Sequence, residues 1–180
     1  MDYRQKLIDW NSTDMYCREM KFLRKMLSLR EGENVLDYGC GLGVCVEFLN
    51  KTTKAEVCGY DVEKYVKGRP YWFKKTVASK YDKVFLMHSL AHMRAPIEEL
   101  TTIKQHLKIG GRVIVITPNK DFCERLKNKS YVPDPTVMQH FTPETLEFLF
   151  KNLGFKILIQ GQFGQTLKGH QERLFLEAKL

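Results

Sequence analysis

Residues 35–43 read Val-Leu-Asp-Tyr-Gly-Cys-Gly-Leu-Gly, and residues 57–61 read Val-Cys-Gly-Tyr-Asp. The first stretch is an apolar strand running into a turn with glycine at 39, 41 and 43. Without a Cβ at those positions the main chain can pass very close to a ligand. Asp61 stands 24 positions after Asp37, where the second strand of a βαβ unit ends and a ribose finds an acidic acceptor. A nucleoside-bearing ligand is implied. A dinucleotide is not: counted from Gly39 and Gly41, the third small residue of G-x-G-x-x-G/A falls on Val44, which cannot let helix and strand pack as that fingerprint requires. Asp37 at the strand end would repel a pyrophosphate and suits a cationic ligand instead.

Outward from this stretch the pattern alternates. Residues 14–29 place apolar side chains at near-helical spacing, from Met15 and Met20 to Leu27 and Leu29, with Gly32 as the stop. A first strand from about Asn34, a short helix over 44–51 and a second strand over Val57–Tyr60 follow. Asp61 and Tyr81 are only 20 positions apart, too few for a full helix, a full strand and their turns. A shortened third strand near Trp72–Val77 is expected. Lys83–Met87 reads as the fourth strand, Ala95–Leu107 as a helix opened by Pro96, and Arg112–Thr117 as the fifth strand after Gly110-Gly111. Thr142-Pro143-Glu144 caps a helix running to about Leu153. Phe155–Gln160 is the sixth strand, and Leu174–Leu180 is a last strand reached through a polar loop, hence antiparallel to it. This order predicts a doubly wound, mostly parallel Rossmann-like α/β sheet with an antiparallel last strand and a shortened third. Ligands bind such sheets at the carboxyl ends of the strands, which puts Gly39–Gly43, Asp61, Met87–His92 and Thr117–Asn119 on one rim.

At 180 residues and 43% apolar content the chain is expected to form one domain over 1–180, with residues 1–30 as a helical segment over the ligand site. No run of about 18 apolar residues suggests a membrane span, and the N-terminus has no signal-peptide pattern. Five cysteines, at 17, 40, 45, 58 and 123, form no C-x-x-C pair. They point to a reduced, cytoplasmic setting. The histidines and carboxylates lack the spacing of a metal cage, so no metal is expected. The formal charge of +8 comes from scattered lysines and arginines, densest between Lys51 and Lys83. A soluble lysine-rich surface is favoured over a nucleic-acid partner, which stays possible.

Val35–Gly43 and Val57–Asp61 resemble the first motif and the acidic second-strand end of the class I S-adenosylmethionine-dependent methyltransferases. Tyr81–Val84 with His88-Ser89-Leu90-Ala91-His92 looks like their fourth-strand region, and Leu107–Val113 with Thr117-Pro118-Asn119 like their fifth. His140–Glu144 through Phe155 resembles the late helix of the small-molecule, type 11/12-like branch, which includes quinone-biosynthesis and sugar O-methyltransferases. The resemblance spans roughly residues 14–180. It implies that S-adenosyl-L-methionine is the cofactor, cradled by the glycine loop with the acid on both ribose hydroxyls. Carried over position by position, the cofactor-binding candidates are Asp37, Tyr38, Gly39, Cys40, Gly41, Gly43, Asp61, Val62, Met87 and His88. The shortened 61–81 segment departs from the family, so the adenine contacts, guessed at Phe73–Ala78, are open.

Methyl transfer from a sulfonium is an in-line displacement, largely a matter of positioning. A hydroxyl or ammonium acceptor must also lose a proton, for which histidine is suited near neutrality. The catalytic candidates are His92, His140 and His88, each competing with a packing or capping role. Tyr3, Trp10 and Tyr16 are candidates to close over the donor, and the loop Lys127–Val137 to cover the acceptor. The function expected is methyl transfer to an oxygen, or a nitrogen, of a small-molecule acceptor. A nucleic-acid or protein methyltransferase and a non-catalytic donor-binding subunit are the alternatives. Leu86-Met87-His88-Ser89 stands where amino-group methylases of bases carry Asn/Asp-Pro-Pro-aromatic, which disfavours that subclass.

Overall fold

The computed structural model describes residues 5, 8, 9, 11–62, 73, 74, 77, 79–127, 136–167 and 169–180. Thr13 opens helix α1 (Asp14–Leu27), its hydroxyl accepting the Tyr16 N–H, and Ser28 closes it in a left-handed conformation. The helix therefore stops two residues before the predicted end. Strand β1 (Asn34–Tyr38) leads through the glycine turn into α2 (Val44–Thr52), then β2 (Glu56–Tyr60). The expected short third strand is the two-residue β3 (Phe73–Lys74), followed by β4 (Tyr81–Met87). A single 3-10 turn, Leu90–His92, precedes α3 (Pro96–His106). Strand β5 (Leu107–Pro118) starts five residues before its predicted beginning.

Helix α4 (Lys120–Lys127) was not anticipated. Asn119 starts it, its side-chain oxygen accepting the Asp121 N–H at 3.1 Å. Helix α5 (Pro143–Asn152) has the predicted cap, strengthened by a reciprocal Thr142–Thr145 pair. Strands β6 (Lys156–Leu167) and β7 (His170–Lys179) form one long antiparallel hairpin. Within the predicted polar loop across 161–173, residues 161–167 and 170–173 instead belong to the outer parts of the two strands. On an exposed hairpin the backbone ladder holds residues that need bury little, so polar composition was a poor guide there.

The seven strands lie in the order β3-β2-β1-β4-β5-β7-β6. β1 to β5 are mutually parallel where they pair, and β7 runs antiparallel between β5 and β6. Strand alternation splits the core into two layers. Leu36, Leu86, Val113 and Val115 face α3 and α5, packing with Leu100, Ile103, Leu146 and Phe150. Val35, Phe85, Ile114 and Ile116 face α1 and α2, packing with Leu23, Leu27, Val46 and Leu49. Burial on both faces is why these strands read as unbroken apolar runs rather than alternating ones. Among the described residues no helix is long and apolar enough to cross a membrane.

Candidate functional site

The carboxyl ends of β1, β2 and β4 open onto a cavity of about 800 Å³, within the range of small-ligand sites. The glycine turn forms one wall. The Gly39 and Cys40 N–H groups both donate to the Tyr60 carbonyl, at 2.8 and 3.0 Å, so the turn is strapped to the end of β2. Gly39 has φ +87°, and a Cβ built there would meet Ser89 Cβ at 2.3 Å. Ser89 in turn donates to the Tyr38 carbonyl at 2.6 Å. Only glycine lets β1 and the residues after β4 approach this closely.

Asp61 ends β2 with its Oδ2 accepting the Gly41 N–H at 2.8 Å, and it lines the cavity. Asp37 lies beneath the turn, 2% exposed, and its Oδ1 has no hydrogen-bond partner among the described residues. Burial, and then the charge of Asp61, push the Asp37 carboxyl well above its ordinary range. A buried carboxyl oxygen left without a donor costs about 1–3 kcal/mol, a cost that a ligand bearing N–H groups would offset. Tyr38 and Tyr60 tilt against each other with ring centres 5.1 Å apart. The Tyr38 hydroxyl donates to Glu99 of α3. Burial and that bond push the Tyr38 phenol up, and burial raises Tyr60 as well.

Two of the three candidate histidines line the cavity. His88 has φ +65°, the left-handed region, and its Nε2 lies 2.6 Å from Glu19 Oε2 of α1. Glu19 Oε1 accepts from Arg173 Nε of β7 at 2.7 Å. Both Glu19 and Arg173 are buried. Burial alone would raise the Glu19 carboxyl, but the charge and hydrogen bond of His88, and then of Arg173, outweigh it and hold it below its usual value. His92 Nδ1 lies 2.9 Å from the Thr136 carbonyl and 3.1 Å from its hydroxyl. A carbonyl only accepts, so Nδ1 carries the hydrogen and Nε2 is the basic nitrogen of the neutral ring.

His140 departs from expectation: it is exposed and outside the cavity lining. Its neighbour Phe141 is buried in the core, while the Met138 and Gln139 N–H groups are tied to the Ala91 carbonyl. In an extended segment the residue beside a buried one faces outward. Gly43 is also outside the lining, acting as the N-cap of α2 at φ +75°. Asp37 likewise sits below the wall rather than in it. Tyr38, Gly39, Cys40, Gly41, Asp61, Val62, Met87 and His88 all line the cavity, as does Tyr16 of α1. Tyr3 and Trp10 lie outside the described residues, as do three of the six residues Phe73–Ala78 and most of Lys127–Val137. From the last stretch Thr136 reaches the cavity.

Glu19, Arg173 and Glu99 went unnoticed in the sequence. Glu19 did leave a signal: it sits three residues after Tyr16 and four before Leu23, an acid in the middle of a buried helical stripe.

A profile described as a methyltransferase domain matches residues 12–160. The fold is similar to a SAM dependent methyltransferase from Archaeoglobus fulgidus, with TM-score 0.79 and 19% identity, over 99% of this chain and 100% of that one. It is also similar to magnesium protoporphyrin IX methyltransferase from Synechocystis PCC 6803, solved with bound SAH, with TM-score 0.69 and 18% identity over 90% of this chain and 82% of that one. In sequence, an alignment of 109 positions that covers 51% of this chain shows 28% identity to the tRNA U34 carboxymethyltransferase of Alcanivorax borkumensis. The match covers 34% of that protein, so the chain spans about a third of the curated relative's length.

Proposed function

We propose, for a chain that belongs to the methyltransferase domain family and uses S-adenosylmethionine, that the methyl acceptor is a small molecule presenting an oxygen, or a nitrogen, inside the cavity. The reading rests on one observation: a glycine turn, an acid at the end of β2 and two histidines meet around a single cavity of about 800 Å³. When bound, S-adenosylmethionine supplies a methyl group on a positively charged sulfur, ready for in-line displacement. Asp61 would accept hydrogen bonds from the ribose hydroxyls, while Gly39, Cys40 and Gly41 offer bare backbone to the methionine portion. Asp37, buried beneath the turn with its carboxyl pushed above the ordinary range, would support the turn from below rather than meet the ligand's charge. Val62, Met87 and His88 complete the donor wall, and Gly43 supports the turn from behind. Residues 1–180 would act as one unit, with α1 contributing Tyr16 beside the donor.

The acceptor's proton goes to a histidine of the cavity wall, His88 or His92. His140, being exposed, takes no part in that step. Met93, Ala95 and Met138 give the remaining wall an apolar part beside the polar Arg94, Glu99 and Thr136, as suits a compact acceptor held by shape and a few polar groups.

An RNA acceptor is the second reading. The formal charge of +8 and the likeness to a tRNA-modifying enzyme favour it. The two are separated by incubating the protein with methyl-labelled S-adenosylmethionine and either total small-metabolite extract or total RNA. Label in the organic-extractable small-molecule fraction supports the first reading. Label confined to nuclease-sensitive material refutes it.

A further inference from the structure

We propose that Glu19 is the positioning residue that makes His88, rather than His92, the proton-accepting group of the cavity wall. The assignment rests on the methyltransferase reading with a proton-bearing acceptor. In such a transfer the acceptor's electron pair forms the bond to the methyl carbon, the carbon–sulfur pair departs onto sulfur, and the acceptor's proton passes to the base. The unit of positive charge that leaves the sulfur therefore finishes on the base. The preferred base is the one whose surroundings stabilise an imidazolium.

The two histidines differ on this point. Glu19 is ionised and accepts from His88 Nε2 at 2.6 Å, so Nδ1 is the basic nitrogen of the neutral ring. The carboxylate's side chain is 3% exposed, where water screens little and a charge that appears next to it is strongly stabilised. Arg173 fixes the second carboxylate oxygen at 2.7 Å, which keeps Glu19 ionised and in place before any proton moves. His92, by contrast, meets a neutral carbonyl and hydroxyl on Thr136. These choose its tautomer but bring no charge to meet an imidazolium.

The backbone adds a second, independent observation. His88 is held at φ +65° with its N–H on the Ile116 carbonyl at 2.8 Å. Such strain persists in a non-glycine residue where the surroundings over-determine it, commonly at functional sites. The titratable groups on the elements around His88 are Glu19 and Tyr16 from α1 and Arg173 with Glu172 from β7. Asp61, His92, Arg94 and Glu99 line the same cavity.

The test joins nitrogen-15 NMR of the histidine rings, with S-adenosylhomocysteine present, to steady-state kinetics. The kinetics compare the natural protein, Glu19→Gln, and Glu19→Gln with Arg173→Gln. The double variant strands no buried guanidinium and so guards against misfolding. In the natural protein the neutral His88 ring should carry its hydrogen on Nε2 and the neutral His92 ring on Nδ1. With an acceptor that the natural protein methylates, both variants should lower kcat about tenfold and leave the donor KM unchanged. A hydrogen on Nδ1 of His88, or a kcat unmoved by Glu19→Gln, overturns the proposal. So does a kcat that only His92 substitutions lower. Failure of S-adenosylhomocysteine to bind the folded natural protein would instead refute the methyltransferase reading, and the ring spectrum of the ligand-free protein would still decide the Glu19–His88 pairing.

Discussion

Replacing Gly39 with alanine perturbs a place where the turn and the segment after β4 come into close contact. The residue sits at φ +87°, a conformation that costs an L side chain about 1–2 kcal/mol. Its new methyl would lie 2.3 Å from Ser89 Cβ and 2.9 Å from Ser89 Oγ. Neither can swing away freely, because Ser89 Oγ is bonded to the Tyr38 carbonyl at 2.6 Å. Overpacking of this kind adds about 1–3 kcal/mol. The sum, about 2–5 kcal/mol, is a large share of the roughly 5–15 kcal/mol that holds a domain folded. For a chain of this size it lowers Tm by roughly 5–20 °C. Differential scanning calorimetry measures it, with two comparisons that separate the terms. Gly32→Ala meets nothing within 4 Å at φ +75° and should show only the backbone part. Gly39→Ala with Ser89→Gly removes the two crowded atoms and should recover about half the loss. If Gly39→Ala melts within about 2 °C of Gly32→Ala, the close approach of these two segments is not what demands glycine, and the reasoning fails.

Other expectations follow from the same geometry. Asp61→Ala should weaken S-adenosylhomocysteine binding about tenfold to a hundredfold, by loss of charge-assisted hydrogen bonds, and should lower Tm by a few degrees because the Gly41 N–H loses its acceptor. Fluorescence titration decides it, and equal affinity would remove the proposed ribose contact. Asp37 has a raised folded value, so it favours folding most at pH below the ordinary carboxylate range and loses that advantage as pH climbs through the raised value. The Tm of Asp37→Asn relative to the natural protein should therefore rise between pH 4 and pH 8. A difference that is flat with pH would show that the carboxyl titrates normally. Glu19 is shifted the other way, so the stability it contributes is present above its unfolded value and lost as pH falls through the lower folded one. Thermal melts of Glu19→Gln should converge on the natural protein in acid. Thr142→Ala should cost about 1 kcal/mol through loss of the α5 cap, read as a denaturant midpoint shift at unchanged slope.

What was legible in the sequence is what the chain encodes locally. Val35–Tyr38 and Val84–Met87 are apolar because both sheet faces are covered, and the glycines at 39, 41 and 43 are demanded by the turn itself. The Thr142-Pro143 start of α5 was legible for the same reason, since a cap bonds within its own first turn. What was hidden is non-local. Glu19 meets His88 across 69 residues and Arg173 across 154, and no window of sequence shows that an acid on a helical stripe will find two cations. His140 was misplaced because a motif position fixes the chain path but not the side of it, and Phe141 claims the inward side. The outer hairpin of β6 and β7 was hidden by its mostly polar residues, which the backbone ladder pairs whatever their side chains.

The central claim is that S-adenosylmethionine rests on the turn at 39–43 with Asp61 at its ribose. Isothermal titration of the folded protein with S-adenosylhomocysteine tests it most directly. The account predicts saturable one-to-one binding that Asp61→Ala weakens and adenosine competes away. Absence of heat at millimolar ligand, with the protein's melting transition intact, would contradict it.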